Sequence, residues 1–368
     1  MPKIKKNRIL FLGHMPPPWH GVSAINTWIL NSSRLTNEFR FILINLTTAN
    51  SIADIGKTSV LKYFSTIRIF FTTLYKLVIT NPKLGYITLT PSGVAFFKDS
   101  IILLLIKLFR KPVVVHSHGK GITDWVNAQP KWVTKYYRFV LKGTHLLVLG
   151  QNLVEDTRAV YNDEPIILPN GIPVIDYSPE SIKKKDCIEL LYLSNLMKYK
   201  GVLDFVESLK ILHRQDHDFH ANIIGASGDV SIEYVKQLVE EYNLHNKVTV
   251  LGPKYNEEKY EHLYNADALV FPSYYEPFGL VILEAFQAGI AVIGTNEGCM
   301  PEIIEDSENG FIVEKQNPQG IADVLIKLID NPELGKEIGK RNKAKFESKY
   351  TFEVFEQNLA EIFNKVIS

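Results

Sequence analysis

Two carboxylates stand eight positions apart in the stretch SYYEPFGLVILEAFQAG, Ser273 to Gly289. Glu276 precedes a proline and a glycine, and Glu284 is set among Leu283, Ala285 and Phe286. Carboxylates rarely enter an apolar helix unless something pairs with them. From Gly279 onward, Leu280, Leu283, Phe286 and Gln287 have helical spacing. The first turn of such a helix presents the backbone N–H groups of Phe278, Gly279 and Leu280. That is an anion site, and the glycine lets a phosphate come close. Glu276 stands at its mouth. Glu284 lies about five residues further in, roughly 7–8 Å along a helix rising about 1.5 Å per residue. The separation suits a sugar joined through a diphosphate to a ribose: Glu284 accepts the ribose hydroxyls and Glu276 holds those of the transferred sugar. The plain alternative makes Glu276 a helix-start charge favoured by the dipole and Glu284 a solvated helix residue.

Other residues carry weaker signals. His116 and His118 in VVVHSHGKG are expected on opposite faces of a strand end, a poor metal pair. In PKWVTKYYRFVLKG, Lys131, Lys135, Arg138 and Lys142 share one helical face, with Trp132, Tyr136, Phe139 and Val140 at neighbouring angles. LKYFSTIRIFFTTLYKLVITNPK mixes Lys62, Arg68 and Lys76 with aromatics. Helices of this kind lie on anionic membranes, or else bury the apolar face in the core and leave the charges in water.

Charge sharpens this. The net charge of +1 hides 21 Lys/Arg against 8 Asp/Glu in residues 1–175, a net of +13, and −12 in the remainder. Opposed halves point to two domains with different partners. A basic half suits lipid headgroups, a phosphorylated acceptor or nucleic acid. No nucleic-acid motif accompanies the charge, so contact with an anionic membrane surface is expected and nucleic acid is not.

The elements that must position these residues alternate. RILFLG, FRFILINL, LGYITLT, KPVVVHSH and HLLVLG read as buried parallel strands, with helices such as Ser59–Thr80 and Val94–Phe109 between them. After IILPNGIPV the pattern begins again with IELLYLSN, FHANIIGAS, KVTVLG, DALVFPS and IAVIGTN. The expectation is an α/β chain of two doubly wound domains facing a central cleft, with ligands beyond the carboxyl ends of the strands. The domains are expected at 1–170 and 187–350. Residues 171–186 form a linker within the polar stretch Pro169–Asp186, with a hinge near Pro169–Ser178. A last helix, 351–368, packs on either domain, the basic one being preferred.

At 368 residues, two domains are the prior, and 46% hydrophobic with 22% charged residues fits a globular enzyme. Cys187 and Cys299 form no CxxC or metal spacing, which suits a reducing cytosol. The opening MPKIKKNRIL runs straight into a strand pattern and reads as no signal peptide. SIILLLIKLF contains Lys107 and is too short to span a bilayer. The expected place is the cytoplasm, peripheral on the inner face of the plasma membrane.

FPSYYEPFGLVILEAFQAGIAVIGTNEGCMPEIIEDSENGFIV resembles the C-terminal signature of GT-B-fold retaining glycosyltransferases, family 4. The family's E-x7-E matches Glu276 and Glu284. Its G-x-P-E-like turn matches Gly298, Pro301 and Glu302, with Cys299 where members often have a second glycine. Its N-G-[FL] turn matches Asn309, Gly310 and Phe311. The resemblance covers essentially the whole chain as two Rossmann-like domains, the first binding the acceptor and the second the nucleotide sugar. It implies that Gly21, in HMPPPWHGVSAIN, and the amides after it close over the donor diphosphate. It implies that His118 contacts the sugar, while His116 is a core or loop histidine. It implies that Lys200, before Gly201, binds the diphosphate. Asn195 occupies the usual arginine position, with Lys198 as a second candidate charge. Gly225 lies near the nucleotide base. The PPPWHG wording is similar to bacterial surface-polysaccharide enzymes, those of lipopolysaccharide or capsule, with acceptors carried on polyprenyl diphosphate.

The expected activity is therefore a retaining hexosyltransferase with Glu276, His118 and Lys200 as catalytic residues. Donor contacts are Gly21, Asn195, Lys198, Lys200, Gly225, Phe278, Gly279, Leu280 and Glu284. Neither cofactor nor metal is expected, because no DxD-like acidic pair ends a strand. Two rivals are a GT-B-fold nucleotide-sugar epimerase and a catalytically degenerate binding or scaffold protein.

Overall fold

The structure, a computed structural model, describes residues 6–47, 60–177 and 187–368. The chain divides into two compact units, Met1–Asn170 with Glu353–Ser368, and Gly171–Phe352. Of the linker expected at 171–186, residues Ser178–Asp186 lie outside the described residues, as does the last residue of the expected hinge.

The first unit runs β1 (Asn7–Gly13), α1 (Gly21–Asn31), α2 (Ser33–Glu38), β2 (Phe39–Asn45), α3 (Val60–Thr80), β3 (Leu84–Leu89) and α4 (Gly93–Leu108). It continues with β4 (Val113–Ser117), α5 (Ile122–Asn127), α6 (Lys131–Leu141), β5 (His145–Val148), α7 (Gln151–Glu155) and β6 (Ile166–Ile167). The strands form one parallel sheet in the order β2-β1-β3-β4-β5-β6. β3 and β4 are buried along their whole length, as strands covered on both faces must be. The expected helix Ser59–Thr80 is α3; Ser59 and the side chain of Lys62 lie outside the described residues.

The second unit runs β7 (Ile188–Leu193), α8 (Val202–Arg214), β8 (Phe219–Ile224), α9 (Ile232–Glu241), β9 (Val248–Gly252), α10 (Asn256–Asn265) and β10 (Ala268–Val270). Then follow α11 (Leu280–Ala288), β11 (Ala291–Thr295), α12 (Met300–Ile303), β12 (Phe311–Val313), α13 (Pro318–Asp330) and α14 (Pro332–Lys345). The sheet order is β12-β11-β10-β7-β8-β9, again parallel. The order reverses between β7 and β10, which is where doubly wound sheets hold ligands. Leu190, Tyr192, Phe205, Ile223, Val270 and Ile293 are among the side chains that fill its core.

The last helix, α15 (Phe352–Ile367), belongs almost wholly to the first unit. Its Phe363 ring lies 5.5 Å from Phe39 and 5.6 Å from Tyr86, both edge-on. Asn364 Nδ2 donates to Glu38 Oε1, and the Ser32 hydroxyl donates to the Glu356 carboxylate.

Candidate active site

The switch point of the second sheet carries the strongest chemistry. β7 ends at Leu193 and leads into the loop bearing Lys200. β10 ends at Val270 and leads into the loop bearing Glu276. Because the two strands are neighbours, residues 76 apart in sequence meet: Lys200 Nζ donates to Glu276 Oε2 at 2.5 Å. Both side chains are largely covered, at 17% and 16% exposure. The Lys200 ammonium also lies 5.4 Å from the Tyr199 ring and 5.5 Å from that of Phe271, within cation–π range. A pair this far out of water is sensitive to loss of either partner.

The other oxygen of Glu276 turns to the helix. Oε1 accepts from Gly279 N at 3.1 Å and from Phe278 N at 3.4 Å. Two of the three amides expected to receive a phosphate are thus held by Glu276, leaving that of Leu280 at the first helical position. Glu276 is thereby bonded into the loop that leads into α11, whose first helical residue is Leu280. The loop is braced from behind. Glu276 N donates to Glu297 Oε1 at 3.4 Å, and the nearly fully buried Glu297 pairs with Lys315. Gly298 has φ +54°, and a Cβ there would come within 2.0 Å of the Glu276 carbonyl oxygen, so only glycine fits.

Glu284 sits one turn into α11 and pairs with Lys259 Nζ of α10 at 2.8 Å, both about three-quarters covered. Each carboxylate of the E-x7-E stretch therefore holds a lysine: Lys200 from the first strand's loop, Lys259 from the preceding helix. Lys259 and Glu297 carry no signal in the linear sequence. They lie 25 residues before Glu284 and 21 after Glu276, and only the fold makes them neighbours.

The remaining expected residues fall into place differently. Lys200 and Lys198 lie in a single 3-10 turn ended by Gly201. Lys198 is exposed, with its backbone N–H donating to Asp229 Oδ1 at 2.9 Å. Asn195 is exposed, and its carbonyl accepts from Tyr192 Oη at 3.5 Å. Gly225 has a packing reason for its identity: a Cβ there would lie 1.8 Å from the Ser194 carbonyl oxygen.

In the first unit, Gly21 opens α1. His20 caps that helix, its Nδ1 accepting from Ser23 N while Ser23 Oγ accepts from His20 N. The expectation that His116 and His118 point to opposite faces is overturned. Their rings lie 3.9 Å apart, because alternation along a strand returns residues two apart to the same face. His116 is fully buried, its Nδ1 bonded to Tyr86 Oη at 2.8 Å. His118 is partly covered, with a buried Nε2 that bonds no described residue. Burial pushes His116 well below the ordinary histidine range and lowers His118 to about 3 and His14 to about 4. His14 and His20 add charge repulsion at His118. All three are neutral near pH 7. Among the described residues no group of three His, Cys, Asp or Glu is placed to hold a metal.

The whole chain has the GT-B fold, two parallel six-stranded α/β units. It matches a glycosyltransferase from Rickettsia africae ESF-5 with a TM-score of 0.75, 18% identity, and coverage of 99% of this chain and 100% of that one. It matches HepE from Anabaena, in complex with UDP and glucose, with a TM-score of 0.69, 17% identity, and coverage of 97% and 99%. Residues 175–345, which lie within the second unit, match the family model for glycosyl transferases group 1. The chain is 30% identical over 212 residues to N-acetyl-alpha-D-glucosaminyl L-malate synthase of Bacillus anthracis, covering 57% of this chain and 53% of the relative. The chain spans about half the length of the curated relatives it matches.

Proposed function

We propose that the protein is a retaining glycosyltransferase, moving a hexose from a nucleotide-diphosphate sugar to an acceptor hydroxyl on a lipid-linked or surface-polysaccharide glycan. The observation that carries this is the Lys200–Glu276 pair at the start of α11, on the β7/β10 switch point of the group 1 domain.

In this reading the incoming diphosphate competes with Glu276 for Lys200 and for the amides of Phe278 and Gly279. Glu276 is released to the sugar hydroxyls while the phosphate oxygens take its donors. Binding of the correct donor thereby turns a loop-bracing carboxylate into a sugar contact. Glu284 accepts the ribose hydroxyls. His118 and Gly21 keep the roles the resemblance implies. A neutral His118 with an unbonded Nε2 suits a sugar hydroxyl better than a phosphate. The acceptor oxygen bonds to the anomeric carbon as the bond from that carbon to the diphosphate oxygen breaks. The diphosphate leaves with the electron pair and takes the acceptor's proton. Lys200 and the helix amides stabilise the charge that develops on it. A lipid-borne acceptor would put the enzyme at the cytoplasmic face of the membrane. HepE was crystallised with UDP, so uridine nucleotides are the first donors to try.

The test is turnover of UDP-, GDP- and ADP-sugars with a polyprenyl-diphosphate-linked acceptor, the product's anomeric configuration being read by NMR. Retention is expected with one donor, and Glu276→Gln should lower kcat by about a hundredfold. Inversion at the anomeric carbon, or epimerisation of the donor with no acceptor added, would contradict the proposal.

A further inference from the structure

We infer that the outer face of the α3–α4–α6 layer is a docking surface for an anionic lipid bilayer. The connections from β2 to β3, β3 to β4 and β4 to β5 all step the same way along the sheet. Right-handed crossovers therefore place these helices on one face of it. α3 packs on α4, and α4 on α6.

Each helix turns apolar residues outward. In α3, Ile69, Thr73 and Leu77 are the buried stripe. Phe64, Ile67, Phe71 and Tyr75 are exposed, about half a turn round the helix at roughly 100° per residue. An ordinary surface helix has polar residues there. α4 exposes Ile101 and, at 76%, Leu108; α6 exposes Trp132 and Phe139. Lys107 ties the far ends of α4 and α6 together by donating to the Phe139, Val140 and Lys142 carbonyls.

Charge selects the occupant. Residues 60–142 hold 13 Lys/Arg and two Asp/Glu, and of those two Asp99 is fully buried. Lys131, Lys135 and Arg138 are exposed on the same helix as Trp132 and Phe139, and Lys142 is exposed just beyond its end. Apolar and aromatic side chains fenced by cations match the boundary of headgroups and acyl chains in an anionic leaflet. No helix among the described residues is long and apolar enough to cross a membrane, so the surface lies on the bilayer rather than through it. This inference does not require the protein to transfer sugars.

The test is co-sedimentation of the full chain with phosphatidylcholine vesicles, with and without phosphatidylglycerol, at low and high salt. Binding should be at least about tenfold tighter with the anionic lipid and weaken with salt. Phe71→Ser combined with Lys135→Glu should abolish it while UDP binding by calorimetry is retained, which shows that the variant folds. Trp132→Phe, a milder change, should remove part of the fluorescence blue shift that vesicles cause. Equal binding to neutral and anionic vesicles, or no binding, would overturn the inference. So would a dimer in solution that the double substitution dissolves, since the face would then join two copies. Loss of UDP binding in the wild type would strike at the catalytic proposal and leave this one standing.

Discussion

At the scale of single residues, the two lysine–carboxylate pairs of the E-x7-E stretch do different work. Lys200 and Glu276 form an ion pair, and Glu276 also accepts from the Gly279 amide just ahead of α11. Lys200→Ala removes the cation a diphosphate would need but leaves Glu276 bonded to the amides. We expect UDP affinity to fall about 10- to 100-fold, the worth of a charge-assisted hydrogen bond, with a well-folded protein by circular dichroism. Unchanged affinity would show that the diphosphate is held elsewhere. Lys259→Met frees Glu284 without removing it. The expected result is a loss of about 1 kcal/mol in stability, typical of a partly exposed pair, and a smaller loss of UDP affinity than Glu284→Ala causes. If Lys259→Met proves the more damaging for UDP, the ribose role belongs to the lysine's neighbourhood and not to Glu284.

At the scale of elements, the loop after β10 depends on the loop after β11. Gly298 lets Cys299 N donate to the Pro277 carbonyl at 3.0 Å, and Glu297 receives the Glu276 amide. Gly298→Ala forces a Cβ against the Glu276 carbonyl in a left-handed conformation. It should destabilise by about 1–3 kcal/mol and lower kcat more than it raises KM, because it moves the Glu276 backbone; a KM effect alone would argue against that coupling. Much of the architecture was legible because buried parallel strands read as continuous apolar runs. Ten of the twelve strands among the described residues stand out in this way. β6 and β12 are two and three residues long and lie beside the turn residues Pro169–Gly171 and Glu308–Gly310, which break the apolar run. Strand order was not legible either, and it is the β7–β10 adjacency that brings Lys200 to Glu276. The same limit hid Lys259 and Lys315, whose partners are distant in the chain. His116 and His118 stand two apart, where alternation restores the face, so their rings meet on one side of the strand end.

At the scale of the whole molecule, the first unit is basic and stores neutral histidines. Folding depresses His14, His116 and His118 below their unfolded value near 6.5. Between the two values the unfolded chain binds more protons. Stability is therefore fully present above about pH 6.5 and is lost as pH falls toward about 4 and then 3. Each such group should remove about 1 kcal/mol by pH 5.5. Thermal melts at pH 7.5 and 5.5 check this: Tm should drop, and His118→Gln should lessen the drop. A Tm that rises on acidification would show that these histidines gain protons on folding.

Binding of a nucleotide diphosphate at α11 is tested most directly by calorimetric titration of UDP, GDP and ADP into wild type and Glu284→Ala. The wild type should select one nucleotide, and Glu284→Ala should weaken its binding by about an order of magnitude or more. No binding of any nucleotide to the wild type, or equal binding to both proteins, would contradict it.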